Sequence, residues 1–216
     1  MKERPILFST PMVQAILAGT KTQTRRIVKK APTTEINHRL IALDNGWNWQ
    51  VDQQGVVPTM HREIDNPMVC PYGQIGDQFW VRESWYQKGT VGRSYPDDDE
   101  YQFFGHKQAA YVADGDAPKD WTVRKRPSIH MPRWASRLQL EITNIRIERL
   151  NDISSEDAKA EGFDYSTHPS AIEMGYAIGA KTNFRFTWEQ IYGQNEWNKN
   201  PWVWVIEFKV IQGGVQ

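Results

Sequence analysis

Near the N-terminus a short amphipathic helix, a glycine and an alternating strand follow one another with no spare residues, and this junction constrains the fold most. Thr10 is placed to cap the helix, and Pro11 takes its first position, where a missing N–H costs nothing. Met12, Val13, Ile16 and Leu17 share one helical face, and Gly19 supplies a left-handed stop. Thr22, Thr24 and Arg26 then alternate with Gln23 and Arg25, which predicts a strand with the first three on one side. Lys21 sits in the turn, its side chain long enough to fold over that face.

From Gly19 to Arg26, eight residues hold one amine, three hydroxyls and two guanidiniums. That density suits a site handling a carbonyl, a phosphate or a nucleotide, and a lysine beside a threonine can make an activated nucleophile. The plainer alternative is a solvated strand, its threonines serving β-propensity and its charges solubility.

A chain of 216 residues can bury a substantial core, as one domain with elaborations. Lys+Arg and Asp+Glu are equal at 26 each, so nucleic-acid binding would need a local patch rather than a global basic field. The single cysteine, Cys70, excludes an internal disulfide framework and disfavours a cysteine metal site. The five histidines show no ligand spacing, so neither a metal nor a cofactor is expected. No segment approaches the roughly 20 apolar residues of a membrane span, and a cytoplasmic, monomeric protein is expected. Ten tryptophans are many for this length; most should pack, and a few suit stacking on a base.

Pro5 to Ser9 reads as a short strand before the helix. Residues 29–71 are polar, with turns at Asn45-Gly46 and Gln54-Gly55 and an alternating run, Trp47 to Val51, that fits a β-hairpin. After the Gly76-Asp77 turn, Gln78 to Trp85 reads as one strand, with Phe79, Val81 and Glu83 on one face and Trp80, Arg82 and Ser84 on the other. Charges so close to an apolar run should be half-buried and paired. Residues 88–127 read as loop-rich, with a solvated acidic run at Asp97-Asp98-Asp99-Glu100 and a short strand at Tyr111-Val112-Ala113.

Between Arg124 and Arg137 lies a second polar patch, with His130 and Trp134 among its basic residues. It suits phosphate and base contacts, or else a packed loop with Trp134 in the core. Leu138 to Ile142 alternates as a strand that continues through Ile145, Ile147 and Leu150. Ser154 caps a short helix with Asp157 as its capping-box acid, and Gly162 ends it. Glu161 therefore stands at a helix C-terminus, where the macrodipole disfavours a carboxylate, and needs a partner such as Lys21. Phe184 to Tyr192 reads as a helix stopped by Gly193, and Trp202 to Val210 as a strand.

Gly19, Lys21 and Arg26 resemble the Gly-x-Lys, four residues, Arg signature of the ASCH family of PUA-like proteins. Ile16 to Thr24 is similar to the small bacterial N4-acetylcytidine amidohydrolases of that family. Gly76-Asp77 and the following strand, Leu150 to Gly162, and Val205-Ile206-Glu207-Phe208 resemble further family elements. The resemblance implies an α+β fold, a mixed β-barrel flanked by short helices, with two insertions at about 29–72 and 88–124. Larger phage and prophage ASCH proteins carry similar insertions and a His-Met-Pro-x-Trp-Ala-Ser-Arg element like that at His130.

Carried over, the amidohydrolase chemistry falls on Lys21, Thr24 and Glu161, with Glu156 or Asp157 as alternative acids. Gly19, Arg26, Glu83, Arg133 and Trp134 are the substrate-binding candidates. The expected activity removes an acyl group from N4 of a cytidine-like nucleoside. Thr24 would be nucleophile or water-orienting group, Lys21 base, and Glu161 proton carrier or amide contact. One alternative is a non-catalytic reader of single-stranded RNA using Arg124, Lys125, Arg126, Arg133, Arg137 and Trp134. Another is a ribonuclease using Lys21 and His130.

Overall fold

In the strand Trp202–Gln212, Val203, Val205, Trp204, Ile206 and Phe208 are all buried, so both faces of that strand are covered. A strand apolar on both sides belongs at the centre of a sheet. The computed structural model describes residues 1–29, 38–43, 46–51, 68–95, 100–163, 173 and 179–213. Its order is β1 (Glu3–Leu7), α1 (Thr10–Leu17), β2 (Gln23–Ile27), β3 (His38–Leu43), β4 (Gly46–Val51), β5 (Gln78–Arg82), β6 (Trp85–Gly92) and β7 (Gln102–Tyr111). There follow β8 (Val123–Arg126), β9 (Gln139–Arg149), α2 (Ser155–Ala160), α3 (Ala180–Tyr192) and β10 (Trp202–Gln212). The fold is mixed α+β.

The principal sheet runs β1-β5-β9-β10-β2, parallel at β1–β5 and antiparallel elsewhere. Among the described residues this ladder is open, with β1 and β2 at its edges, where the family resemblance implies a closed barrel. One face carries Trp204, Ile206 and Phe208 of β10 under Val13 and Ile16 of α1. The other carries Val203 and Val205 under Ala158, Phe184 and Trp188 of α2 and α3. A bulge beside Thr143 shifts the β9–β10 register between Glu207 and Phe208.

Local chemistry explains most junctions. Ser9, rather than Thr10, stands at the N-cap of α1, without a side-chain cap bond, and Gly19 adopts φ +73° beyond its C-terminus. Asp77 accepts from Lys2 N at 2.7 Å and from Arg4 Nη1 at 2.6 Å, which ties β1 to the turn before β5. The Arg4 hydrogen bond, aided by Lys2 N, holds the Asp77 carboxyl down to about 2.

Two expectations need correction. The run from Gln78 to Trp85 is not one strand: it breaks at Glu83-Ser84, and Trp85 opens β6 in a second sheet. The region read as loop-rich forms that sheet, β7-β6-β8, fully antiparallel, and Tyr111 ends β7 before a single 3-10 turn. Its strands expose many residues, so no clean apolar alternation marks them in sequence. The expected hairpin is present as β3 paired with β4. The turn at Gln54-Gly55 and the acidic residues 97–99 lie outside the described residues.

Candidate functional site

On the face of the sheet under α2, β2 presents Gln23, Arg25 and Ile27 opposite Glu207, Val205 and Val203 of β10. Two polar positions of β2 and one of β10 under a short helix place charge inside the fold, and α2 answers it. Ser154 accepts from Asp157 N at 2.9 Å, as the cap requires, which leaves the Asp157 carboxylate free to turn inward. There it accepts from Gln23 Nε2 at 3.0 Å and from Arg146 Nη2 at 3.0 Å, and it lies 3.2 Å from Arg25 Nη2. Burial pushes the Asp157 carboxyl up, but Gln23, Arg25 and Arg146 outweigh it and hold it below its usual value.

Lys21 and Glu161 form a bridge across 140 residues of chain. Lys21 Nζ donates to Glu161 Oε2 at 2.7 Å, to Glu161 O at 2.9 Å and to Gln23 O at 2.8 Å, which uses all three ammonium protons. The other carboxylate oxygen of Glu161 accepts from Arg25 Nη1 at 3.2 Å. Lys21 is 1% exposed and Glu161 3%, so the pair is desolvated. Burial pulls the Lys21 ammonium below the ordinary lysine value, Glu161 opposes this by charge and hydrogen bond, and Arg26 and Arg25 add to the lowering. Lys21 thus reaches the Gln23 carbonyl and Glu161, the partner of Arg25.

Beside this pair a crevice of about 20 Å³ is lined by Met12, Thr24, Arg26, Glu161, Phe184, Trp188 and Tyr192, among others. That volume admits about one water. Thr24 is buried, and Arg26 Nη2 donates to Leu7 O at 3.0 Å while its guanidinium sits 5.6 Å from the Phe8 ring. Trp188 is 3% exposed, and its indole N–H is buried with no acceptor among the described residues. Sequence reasoning missed Trp188 and Phe184 here; a tryptophan on the apolar side of a helix signals burial and says nothing of an unmet N–H.

The structure therefore brings together Thr24, Arg26 and Glu161 at one crevice, with Lys21 bonded to Glu161 and Gly19 shaping the turn. Glu156 is exposed. The other candidates lie elsewhere. Glu83 is 1% exposed and takes a two-pronged contact from Arg137, at 3.0 and 3.1 Å. Burial raises its carboxyl despite Arg137, and it lines neither of the two cavities described here. Arg133 pairs on the surface with Glu3 at 3.1 Å, an arrangement worth little. Trp134, 41% exposed and so not a core residue, lines a separate cavity with His130. His130 lines that second cavity and Lys21 does not. Among the described residues no group of three or more His, Cys, Asp or Glu is placed to hold a metal ion. No family model, curated protein or solved structure matches this chain.

Proposed function

We propose that the chain is an amidohydrolase that removes an acyl group from the exocyclic nitrogen of a cytidine-like nucleoside, the activity that its ASCH-like motif implies. The observation that carries this is the 2.7 Å contact between Lys21 Nζ and Glu161 Oε2, beside a crevice lined by Thr24. Burial lowers the Lys21 pKa, which favours loss of one of its three donated ammonium protons and frees the lone pair that a base needs. The Thr24 hydroxyl attacks the acyl carbon and its proton passes to Lys21. The carbon–nitrogen bond then breaks as that proton is delivered to the departing nitrogen. Water, deprotonated by the same amine, cleaves the resulting ester and restores Thr24. Glu161 holds Lys21 in place and carries the charge that develops on it. The crevice is narrow, so only the acyl end or the water reaches Thr24 while the base stays at the mouth, near Met12 and Tyr192.

N4-acetylcytidine incubated with the wild type, Thr24→Ala and Lys21→Ala tests this, with released cytidine as the readout. Turnover in the wild type that falls at least a hundredfold in Thr24→Ala supports it. No cytidine from the wild type at high enzyme concentration ends it. Thr24→Ala is the more informative variant, because removing Lys21 leaves Glu161 with one fewer buried counter-charge.

A further inference from the structure

The second sheet carries a cavity unrelated to Thr24 and Glu161. It is about 360 Å³, large enough for a small ligand, and is lined by Trp85, Gln87, Arg126, His130, Pro132 and Trp134. The register explains its composition. Trp85 and Gln87 are alternate residues of β6 and so share one face, and Arg126 of β8 pairs with Trp85 on that face. Two single 3-10 turns after β8 then bring His130 and Trp134 over the sheet. The Trp134 and Trp85 rings meet edge to face, with centroids 5.5 Å apart at 88°.

Two properties of this cavity, its unanswered charge and its exposed aromatic surface, ask for a ligand. Trp85 is 2% exposed, with its indole N–H closed to solvent, and serves as a packed wall. Arg126 donates through Nε to Gln87 Oε1 at 3.2 Å and has no ion pair with a carboxylate among the described residues. Among the described residues no carboxylate lines the cavity, whose ionisable groups are a guanidinium and an imidazole, which suits an anion. The exposed Trp134 adds an aromatic surface. A flat ring together with an anionic group describes a nucleotide.

We propose that this cavity binds one nucleotide, free or as a unit of a single strand. The base stacks on Trp134, and the phosphate meets Arg126 and His130. This goes beyond the hydrolysis proposed above and shares no residue with it. On the same face, Arg124 of β8 lies 4.8 Å from the Phe103 ring, placing a further cation along β8 for the neighbouring phosphate of a strand.

The test is a titration of the full chain with cytidine monophosphate, adenosine monophosphate and a labelled adenosine octamer, at two salt concentrations. Wild type, Trp134→Ala, Trp134→Phe, Arg126→Gln and Thr24→Ala are compared. Saturable binding is expected to weaken roughly five- to hundredfold in Trp134→Ala, from the loss of one stacked base, and to recover in Trp134→Phe. Arg126→Gln lowers the salt slope by about one phosphate contact. Thr24→Ala changes nothing, so failed hydrolysis and failed binding are distinguished. Monophosphate binding identifies the free nucleotide as sufficient; binding of the octamer alone identifies the strand unit. The Trp85 indole N–H resonance, assigned through Trp85→Phe, moves on binding. Absence of binding by all three probes at millimolar concentration overturns the proposal, as does binding that Trp134→Ala and Arg126→Gln leave unchanged.

Discussion

The cluster around Lys21 and the cavity around Trp134 use much the same chemistry, cations beside aromatic rings, and arrange it in opposite ways. In the first, Lys21, Arg25 and Arg146 are answered by Glu148, Asp157, Glu161 and Glu207, and the adjoining crevice has room for about one water. In the second, Arg126 has no carboxylate partner among the described residues, Trp134 is exposed, and the space is about 360 Å³. Where charges are desolvated and neutralised by the protein itself, geometry is preorganised and few atoms can enter. Where they are left unanswered beside open space, a ligand completes them. Similar residues therefore support chemistry in one place and recognition in the other.

The contrast breaks first at Glu161. Glu161→Ala strands Lys21 and part of Arg25 in a buried site, and chemical denaturation should register a loss of about 3–5 kcal/mol. The double variant Lys21→Met, Glu161→Leu should recover much of that loss, because apolar replacements leave no charge unpaired. Equal losses in the single and double variants would mean the pair is not the stabilising unit.

Gly162 probes the same cluster through the backbone. It has φ +90°, and an added Cβ would stand 2.7 Å from Ala15 Cβ and 3.2 Å from Lys21 Cβ. Gly162→Ala should therefore cost about 1–3 kcal/mol and lower any amidohydrolase activity by displacing Glu161. An unchanged melting curve would show that the α1–α2 contact yields easily.

Acid separates the two regions next. The folded-state pKa of Asp157 lies below the usual 3.8, so the stability it contributes is present above that value and is lost as pH falls through the lower folded value. Asp157→Asn should flatten the acid limb of stability in that window. Any amidohydrolase rate should rise with pH along a limb below 10.5, as Lys21 loses its proton. A limb at the ordinary lysine value would contradict the lowered pKa.

The smallest effects belong to the open cavity. Trp134 is 41% exposed and Arg126 has no carboxylate partner among the described residues, so Trp134→Phe and Arg126→Gln should each change stability by no more than about 0.5 kcal/mol. A larger loss would make these residues structural, and the difference between the two regions would narrow.

Local pattern determined a good deal of this protein. The α1 face, the Gly19 stop, the alternation of Phe79, Val81 and Glu83 and the Ser154 cap are all legible because each depends on neighbours a few residues away. So does the misplacement of a carboxylate at the end of α2, which pointed to Lys21 as a partner for Glu161. Distance in sequence hid the rest. The open order β1-β5-β9-β10-β2 depends on long-range pairing that no window displays. Asp157 fits its capping box and keeps a hydrogen bond from the Ser154 backbone, yet its carboxylate also meets Arg25 and Arg146, which only tertiary packing brings to it. Glu83 and Glu161 both sit beside apolar runs, and only the fold gives one to Arg137 and the other to Lys21. Which buried charge meets which partner is decided by three-dimensional desolvation, because a charge removed from water must find its counter-charge wherever the chain happens to bring one.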